Sequence, residues 1–145
     1  MTGSIRVTMF AAALTLAATA AFAGGIAPGL WRIVSRTETG GVLGPPHESS
    51  RCITADEARD VAAAFAPPET AANSSCTPAE RSLNGHKLVW RLTCRGQTDM
   101  EQTAEFIFDG PRRYTATIRT RAAVSGKTMI DSQDILEGQW VSECQ

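Results

Sequence analysis

Alternation of apolar and polar residues constrains the fold of this chain more than any other feature of the sequence. In one stretch the apolar residues Leu88, Trp90, Leu92 and Cys94 alternate with the polar residues Lys87, Arg91, Thr93 and Arg95. A period of two is typical of a β-strand that buries one face and exposes the other. Asn84-Gly85 precedes this stretch and favours a tight turn, because both residues accept positive φ angles. Residues 80–95 are therefore predicted to form a β-hairpin.

A second hairpin is predicted from residues 100–109 and 114–124, which flank the turn sequence Asp109-Gly110-Pro111. Apolar and polar residues alternate in both arms. One register satisfies both patterns, and it pairs Phe108 with Tyr114, Phe106 with Ala116, Ala104 with Ile118 and Glu101 with Arg121. A slip of one residue would turn the charged side chains toward the core, so we predict this register.

One helix is predicted between the first strand and the hairpins. Thr54 and Glu57 have the spacing of a capping box, which satisfies two backbone amides at a helix N-terminus. The residues that follow at helical spacing on one apolar face are Ala58, Val61, Ala62 and Phe65. Pro67-Pro68 ends the helix because proline lacks the amide donor. Residues 69–75 are predicted to be a polar link.

Two further strands are predicted near the ends of the chain. Residues 29–37 are rich in β-branched and aromatic residues and form the first, and the glycines, prolines and serines of residues 40–50 then predict a loop. The last strand covers residues 128–144. Its apolar period is less regular, and Gly126 and Gly138 are predicted to mark a turn and a β-bulge.

The first 23 residues have the pattern of a secretory signal peptide. Arg6 is the only charge, an apolar run follows it, and Ala21-Phe22-Ala23 offers small residues at a cleavage site. We therefore predict cleavage after Ala23, export to the periplasm and a single β-rich domain over residues 24–145, with no membrane span. The whole chain has a net charge of −1, and losing Arg6 makes it more negative. Nucleic acid is thus not an expected partner.

The four cysteines all follow the predicted cleavage site, and none lies in a C-x-x-C motif. This spacing favours structural disulfides over a thioredoxin-type or zinc site. Cys76 and Cys94 flank the first hairpin, so a cross-strand bridge is accessible, and it leaves Cys52 to pair with Cys144. The pairing of Cys52 with Cys76 and of Cys94 with Cys144 remains the alternative.

Catalytic residues are not predicted in this chain. Its two histidines, His47 and His86, both lie in predicted loop or turn positions, and Ser49 and Ser50 near His47 are a common loop composition. Asp131 and Asp134 point to opposite faces if they lie on a strand, which is unfavourable for a shared metal ion. No metal, no cofactor and no enzymatic activity is therefore expected.

Two candidate binding surfaces follow from the strand patterns. A curved sheet could leave an apolar ligand cavity lined by Trp31, Trp90, Phe106, Phe108 and Tyr114. The solvated faces of two strands could form a basic surface for an anionic envelope component, made of Lys87, Arg91, Arg95, Arg113, Arg119 and Arg121. The simpler interpretations are that the aromatic residues form the core and that the basic residues pair with Glu101, Glu105 and Asp109.

The order of several short motifs resembles domain-of-unknown-function family 3617, a family of small exported proteins of proteobacteria. These motifs are Pro28-Gly29-Leu30-Trp31, Cys52-Ile53-Thr54, Cys76, Val89-Trp90-Arg91-Leu92-Thr93-Cys94, the Phe-x-x-Asp-Gly hairpin and Trp140-Val141-x-x-Cys144. The resemblance covers nearly the whole mature chain. It implies a periplasmic, cysteine-containing, mostly β domain, and it implies no activity and no catalytic residue.

Together these features predict a mostly β protein of the α+β class. We expect an antiparallel, curved meander sheet or partly closed barrel of about six strands, with one helix and two disulfides. The expected function is a non-enzymatic periplasmic binding module for a small apolar or amphiphilic ligand or for an envelope component. The alternative is a structural or stress-related envelope protein without a small ligand, and a hydrolase-type enzyme comes third.

Overall fold

The computed structural model describes residues 25–71 and 73–145 of the chain. The predicted signal peptide, residues 1–23, lies outside the described residues. Nine strands and two short helices follow one another along the described part. They are β1 (Gly29–Thr39), β2 (Val42–Leu43), β3 (His47–Ile53), α1 (Ala55–Arg59), α2 (Val61–Ala64), β4 (Ser74–Cys76), β5 (Glu80–Asn84), β6 (Lys87–Gly96), β7 (Thr98–Phe108), β8 (Arg113–Val124) and β9 (Lys127–Ser142).

All strands belong to one antiparallel sheet. Its order is β2, β1, β9, β8, β7, β6 and β4, with β3 also paired to β1 and β5 also paired to β6. Strands β6 to β9 form a meander, whereas β1 pairs with β9 from the other end of the chain. The sheet formed by the described residues is open at both ends. The mostly β, antiparallel fold is thus confirmed, in its open rather than its barrel form.

The sheet has more strands than the pattern predicted because three polar segments also pair. Residues 40–50, predicted as a loop, contain β2 and the beginning of β3, and the polar link over residues 69–75 ends in β4. Both residues of β2 and five of the seven residues of β3 are exposed. Backbone hydrogen bonds rather than buried side chains hold these strands, so they leave no apolar period in the sequence.

The predicted register of the second hairpin is confirmed. Phe108 faces Tyr114, and Glu101 faces Arg121. The first hairpin is also present, but its turn is displaced by one residue. Asn84 pairs with Lys87, so the turn residues are Gly85 and His86, and Gly85 adopts a φ of 58°.

The predicted capping box is present, but the helix is divided in two. The Thr54 amide donates to Glu57 Oε2 at 2.8 Å, and the Glu57 amide donates to the Thr54 hydroxyl at 3.2 Å. The division falls at Asp60, whose carboxylate accepts a hydrogen bond from the Ala63 amide at 3.0 Å and so caps α2. An aspartate that caps a new helix competes with continuation of the first one.

Gly138 does not mark a β-bulge, contrary to the sequence prediction. It pairs in register with Tyr114 on one side and with Ile33 on the other. The register shifts of β9 lie elsewhere, beside Ala122 and beside Leu30. A Cβ atom at position 138 would overlap the Tyr114 ring, so glycine is required here because the ring lies against the backbone.

Phe65, which ends α2, brings the helical segment onto one face of the sheet. Its ring centroid lies 5.2 Å from that of Phe106, 5.6 Å from that of Phe108 and 5.1 Å from that of Tyr114. All three contacts have the edge-on geometry that aromatic pairs prefer. We call this side of the sheet the core face and the opposite side the open face.

Two disulfides join Cys52 to Cys144 and Cys76 to Cys94. They are the pairs that the hairpin argument favoured, and the alternative pairing is not present. Cys76 lies directly opposite Cys94 across β4 and β6. Cys52 in β3 ties the segment before α1 to the residues after β9, closing a sequence separation of 92 residues.

Substitution of Phe65 tests how much the fold depends on this one side chain. We expect Phe65→Ala to lower the free energy of unfolding by about 3–5 kcal/mol, because it removes a buried ring and leaves a cavity. Denaturant titration of both proteins measures the difference. Leu83→Ala is the control, because Leu83 is 40% exposed. A loss similar to that of the control would contradict the central role of Phe65.

The two disulfides should differ in their sensitivity to mild reduction. Cys52 and Cys144 are exposed, whereas Cys94 is fully buried. Because exchange requires access of a thiolate to sulfur, we expect the Cys52–Cys144 bond to be reduced first under native conditions. Alkylation followed by peptide mass mapping measures the order, with a denatured sample as control. Earlier labelling of Cys76 and Cys94 would contradict the prediction.

Glu57 should contribute a pH-dependent part of the stability. The hydrogen bond from the Thr54 amide, and then those from Arg51 and the Thr54 hydroxyl, lower the pKa of Glu57 from 4.5 to about 2. A lowered pKa stabilises the folded protein above about pH 4.5, and this stabilisation is lost as the pH falls toward 2. The side chain is 35% exposed, so solvent screening limits the effect to about 1 kcal/mol or less.

The measurement compares the unfolding free energy of the native protein and of Glu57→Gln at neutral and at acidic pH. The variant should be less stable at neutral pH and should lose less stability between pH 4.5 and pH 2. Glu143→Gln, an exposed glutamate near the C-terminus, is the control. Parallel pH profiles for the native protein and Glu57→Gln would show that the capping carboxylate does not contribute.

Candidate functional site

The five aromatic residues of the predicted ligand cavity lie in the packed core. Trp31, Trp90, Phe106, Phe108 and Tyr114 are each at most 5% exposed. The ring of Phe65 stands among three of them, so it occupies the space that the cavity prediction gives to a ligand. The Trp90 indole also donates to the Phe65 carbonyl at 2.9 Å, which holds the helical segment in place.

Tyr114 and Arg51 add polar groups to this packed region without opening it. Burial raises the pKa of Tyr114 to about 12, partly opposed by the charge of Arg51, so the phenol stays protonated at physiological pH. The Arg51 guanidinium lies 5.7 Å from the centre of the Phe65 ring and 2.8 Å from Glu57 Oε1. Arg51 therefore holds both helices against the core face, through Glu57 of α1 and Phe65 at the end of α2.

The six residues of the predicted basic surface all lie on the open face, but they form two separate rows. Lys87, Arg91 and Arg95 belong to β6, whereas Arg113, Arg119 and Arg121 belong to β8. Strand β7 runs between them and presents an acidic row made of Asp99, Glu101 and Glu105. The open face thus carries alternating basic and acidic rows rather than one basic stripe.

Four ion pairs connect these rows. They are Lys87–Glu105 at 2.6 Å, Arg91–Glu101 at 3.5 Å, Arg95–Asp99 at 3.9 Å and Arg121–Asp131 at 3.2 Å. Two of the acidic partners, Glu101 and Glu105, agree with the simpler interpretation of the sequence. Asp99 and Asp131 are additional partners, and Asp131 enters because β9 lies beside β8.

Two of the six basic residues, Arg113 and Arg119, form no ion pair or side-chain hydrogen bond with any residue in the described part of the chain, and Arg119 is the one at the middle of the open face. The carboxylates diagonal to Arg119 on the two adjacent strands are Glu101, Glu105 and Asp131. Each is paired to another basic residue, Glu101 to Arg91, Glu105 to Lys87 and Asp131 to Arg121. The guanidinium of Arg119 is therefore left with its full donor capacity toward solvent or a ligand.

Arg119 stands in a straight line of open-face residues that crosses six strands. Successive pairings in the sheet join Glu80, Arg91, Thr103, Arg119, Gln133 and Glu38. We call this line the Arg119 row. Its two immediate neighbours, Thr103 and Gln133, are uncharged and carry hydrogen-bond donors. Three donors from adjacent strands thus stand side by side at about 5 Å spacing.

Three surface grooves meet at Arg119. The largest, about 630 Å³, lies between β5 and β8 and includes Glu80, Thr103 and Arg119. A second, of about 360 Å³, extends toward the β1–β2 turn and includes Glu38, Gln133 and Arg119. A third, of about 160 Å³, also includes Arg119. Arg119 therefore lines all three of these grooves.

The sequence singled out Arg119 only as one of six basic residues, and it missed the rest of the row. Thr103, Gln133, Glu38 and Glu80 lie in four separate segments of the sequence. Their alignment depends on β9 pairing with both β8 and β1. The pairing of β1 with β9 joins segments about a hundred residues apart, and no local sequence pattern predicts it.

The other candidate residues from the sequence do not come together. His47 begins β3 beside β1, and His86 lies in the turn between β5 and β6 near the other edge of the sheet. Asp131 pairs with Arg121 on the open face, whereas Asp134 accepts a hydrogen bond from Thr37 on the core face. Each of these side chains has a local structural role or a solvated position.

The fold and the open face together define a disulfide-linked, antiparallel β-sheet protein with an arginine-centred system of grooves. A family model described as "Protein of unknown function (DUF3617)" matches residues 26–144, and the chain belongs to this family. The resemblance drawn from the ordered motifs is thereby confirmed. No curated protein and no solved structure matches the chain. Within residues 25–71 and 73–145, no helix is long and apolar enough to cross a membrane.

Proposed function

We propose that the protein is a non-enzymatic periplasmic binding module that binds an anionic group of an envelope component at Arg119. The observation that carries this proposal is an arginine without an ion pair, among the described residues, at the junction of three grooves. Arg119 can donate two parallel hydrogen bonds to a carboxylate or a phosphate, which is the strongest geometry for such a contact.

The neighbours of Arg119 support recognition of a single anionic group. Thr103 and Gln133 can each add a hydrogen bond to the same anion. The surrounding carboxylates Glu101, Glu105 and Asp131 are already neutralised by ion pairs. A highly charged polyanion would still meet the acidic row of β7, so the site favours a ligand with one anionic group and hydrogen-bonding groups around it.

The periplasmic location is supported by the signal-peptide pattern and by the two disulfides. Both bonds would be kept reduced in most cytosolic compartments and persist in an oxidising one. The absence of a predicted nucleophile and base supports a binding rather than an enzymatic role. The packed position of the five aromatic residues directs the ligand to the open face rather than to an apolar interior.

A second candidate function, a structural envelope protein, is favoured by a different observation. Five apolar side chains are between 43 and 72% exposed on two hairpins at one end of the sheet, namely Val42, Leu43, Val124, Met129 and Ile130. The two hairpins lie at the same end because β1 ends at Thr39, beside Ser132 of β9. Such a group of side chains is typical of a contact with another macromolecule.

Titration with small anions tests the primary proposal. In amide NMR spectra, sodium acetate and inorganic phosphate should shift the signals of Thr103, Arg119 and Gln133. Arg119→Gln should weaken this binding about tenfold or more, because hydrogen bonds to a charged group are lost. Arg113→Gln is the matched control, since Arg113 lies on the same strand and face but lines another groove. Equal binding by Arg119→Gln and the control would refute the site.

Native mass spectrometry of the protein purified from periplasm tests the class of ligand. We expect additional mass in the native spectrum that is lost on denaturation and that belongs to a molecule with a carboxylate or phosphate. The same preparation of Arg119→Gln should lack it. A retained neutral, apolar molecule that persists in Arg119→Gln would contradict an anionic ligand.

A further inference from the structure

We propose that the groove between Arg119 and the β1–β2 turn binds short zwitterionic peptides, with the terminal carboxylate at Arg119 and the terminal amino group at Glu38. This inference rests on the proposed function and adds the second charged contact and the ligand class. The juxtaposition that supports it is a carboxylate and a guanidinium, on the same row and in the same groove, that are not paired with each other.

Glu38 is the complement of Arg119 on the other side of Gln133. It faces Gln133 across β1 and β9, and Gln133 faces Arg119 across β9 and β8. Glu38 is half-buried, and among the residues that the structure describes it forms no ion pair. Both side chains line the groove of about 360 Å³. The groove therefore has one negative and one positive end.

The separation of these ends matches a peptide of about three residues. Glu38 and Arg119 stand two strands apart, and adjacent strands are about 4.8 Å apart, so their backbones are separated by about 10 Å. An extended peptide rises about 3.3–3.6 Å per residue, so the charged termini of a tripeptide span a similar distance.

The middle of the groove can hydrogen-bond a peptide backbone. Gln133 offers an amide donor and an acceptor halfway between the two charges. Gly40 and Gly41 form the rim at the β1–β2 turn, and a Cβ atom on either would meet nothing within 4 Å. The groove thus leaves room for ligand side chains on this side.

The remaining charge in the groove does not compete for the ligand amine. Asp131 lines the same groove, but it is held by Arg121 at 3.2 Å. Glu80, at the opposite end of the Arg119 row, is in the other large groove, three strands from Arg119. Glu80 therefore provides a control with the same chemistry on the same face and row.

The test uses trialanine and two modified forms that each remove one terminal charge. Isothermal titration calorimetry or NMR titration measures the binding of trialanine, N-acetyl-trialanine and trialanine amide to the mature protein. We expect acetylation to weaken binding about threefold to tenfold and amidation to weaken it about tenfold, as expected for loss of one charged contact. The modified ligands leave the protein unchanged, so its folding does not affect the result.

Substitutions assign each terminus to its residue. Glu38→Gln should weaken binding of trialanine but not of N-acetyl-trialanine, because the acetylated ligand has no amine to lose. Glu80→Gln should leave both affinities unchanged. Arg119→Gln should weaken binding of trialanine but not of trialanine amide, because the amide has no terminal carboxylate.

The outcomes separate this inference from the proposed function. If trialanine and its acetylated form bind equally, or if Glu80→Gln has the effect expected of Glu38→Gln, the peptide assignment is overturned while the anion site at Arg119 stands. If amidation and Arg119→Gln are both without effect, the proposed function fails as well. Binding of none of the three ligands would overturn the peptide assignment, and the acetate titration would then decide the anion site alone.

Discussion

The packing of Phe65 against the aromatic residues of β7 and β8 is the contact on which the rest of the structure depends. It brings α1 and α2 onto one face of an open sheet and excludes water from the part of that face around Phe106, Phe108 and Tyr114. Phe65 closes one face of the sheet, and the charged residues of β6, β7 and β8 all lie on the other face. The difference between a packed core face and a charged open face therefore depends on the packing of Phe65.

On the open face, charge pairing decides which groups remain available. A sheet that alternates basic and acidic strands neutralises most of its side chains across neighbouring strands, and each exposed pair contributes little to stability. The unpaired groups are the informative ones. Arg119 and Glu38 are two of these groups, and they are the two that line one groove with Gln133 between them. The carboxylates beside Arg119 already have partners. The binding proposals thus depend on charged side chains that have no ion-pair partner among the described residues, rather than on the net charge of the protein.

Local patterns predicted the elements that bury side chains and missed those that only share backbone hydrogen bonds. The alternation around Leu92 and Phe106 gave the central strands, and the hairpin from Phe108 to Tyr114 gave a register that the structure confirms. Strands such as Val42–Leu43 have no buried face and therefore no period. The prediction of a bulge at Gly138 is wrong because the glycine is required by the Tyr114 ring, a tertiary contact that no local pattern contains. The candidate site needed the long-range pairing of β1 with β9, so its members could not be assembled from spacing alone.

The nested arrangement of the two disulfides has a consequence for biogenesis. A chain that emerges from its N-terminus exposes Cys52 first and Cys76 next, yet neither belongs with the other. Oxidation in order of appearance would join them, whereas the native partner of Cys52 is Cys144, which follows it by 92 residues. Correct maturation therefore requires either delayed oxidation or thiol–disulfide exchange that rearranges an early bond. The pairing of β1 with β9 also requires the last strand. It brings Cys144 close to Cys52 and so favours the native bond.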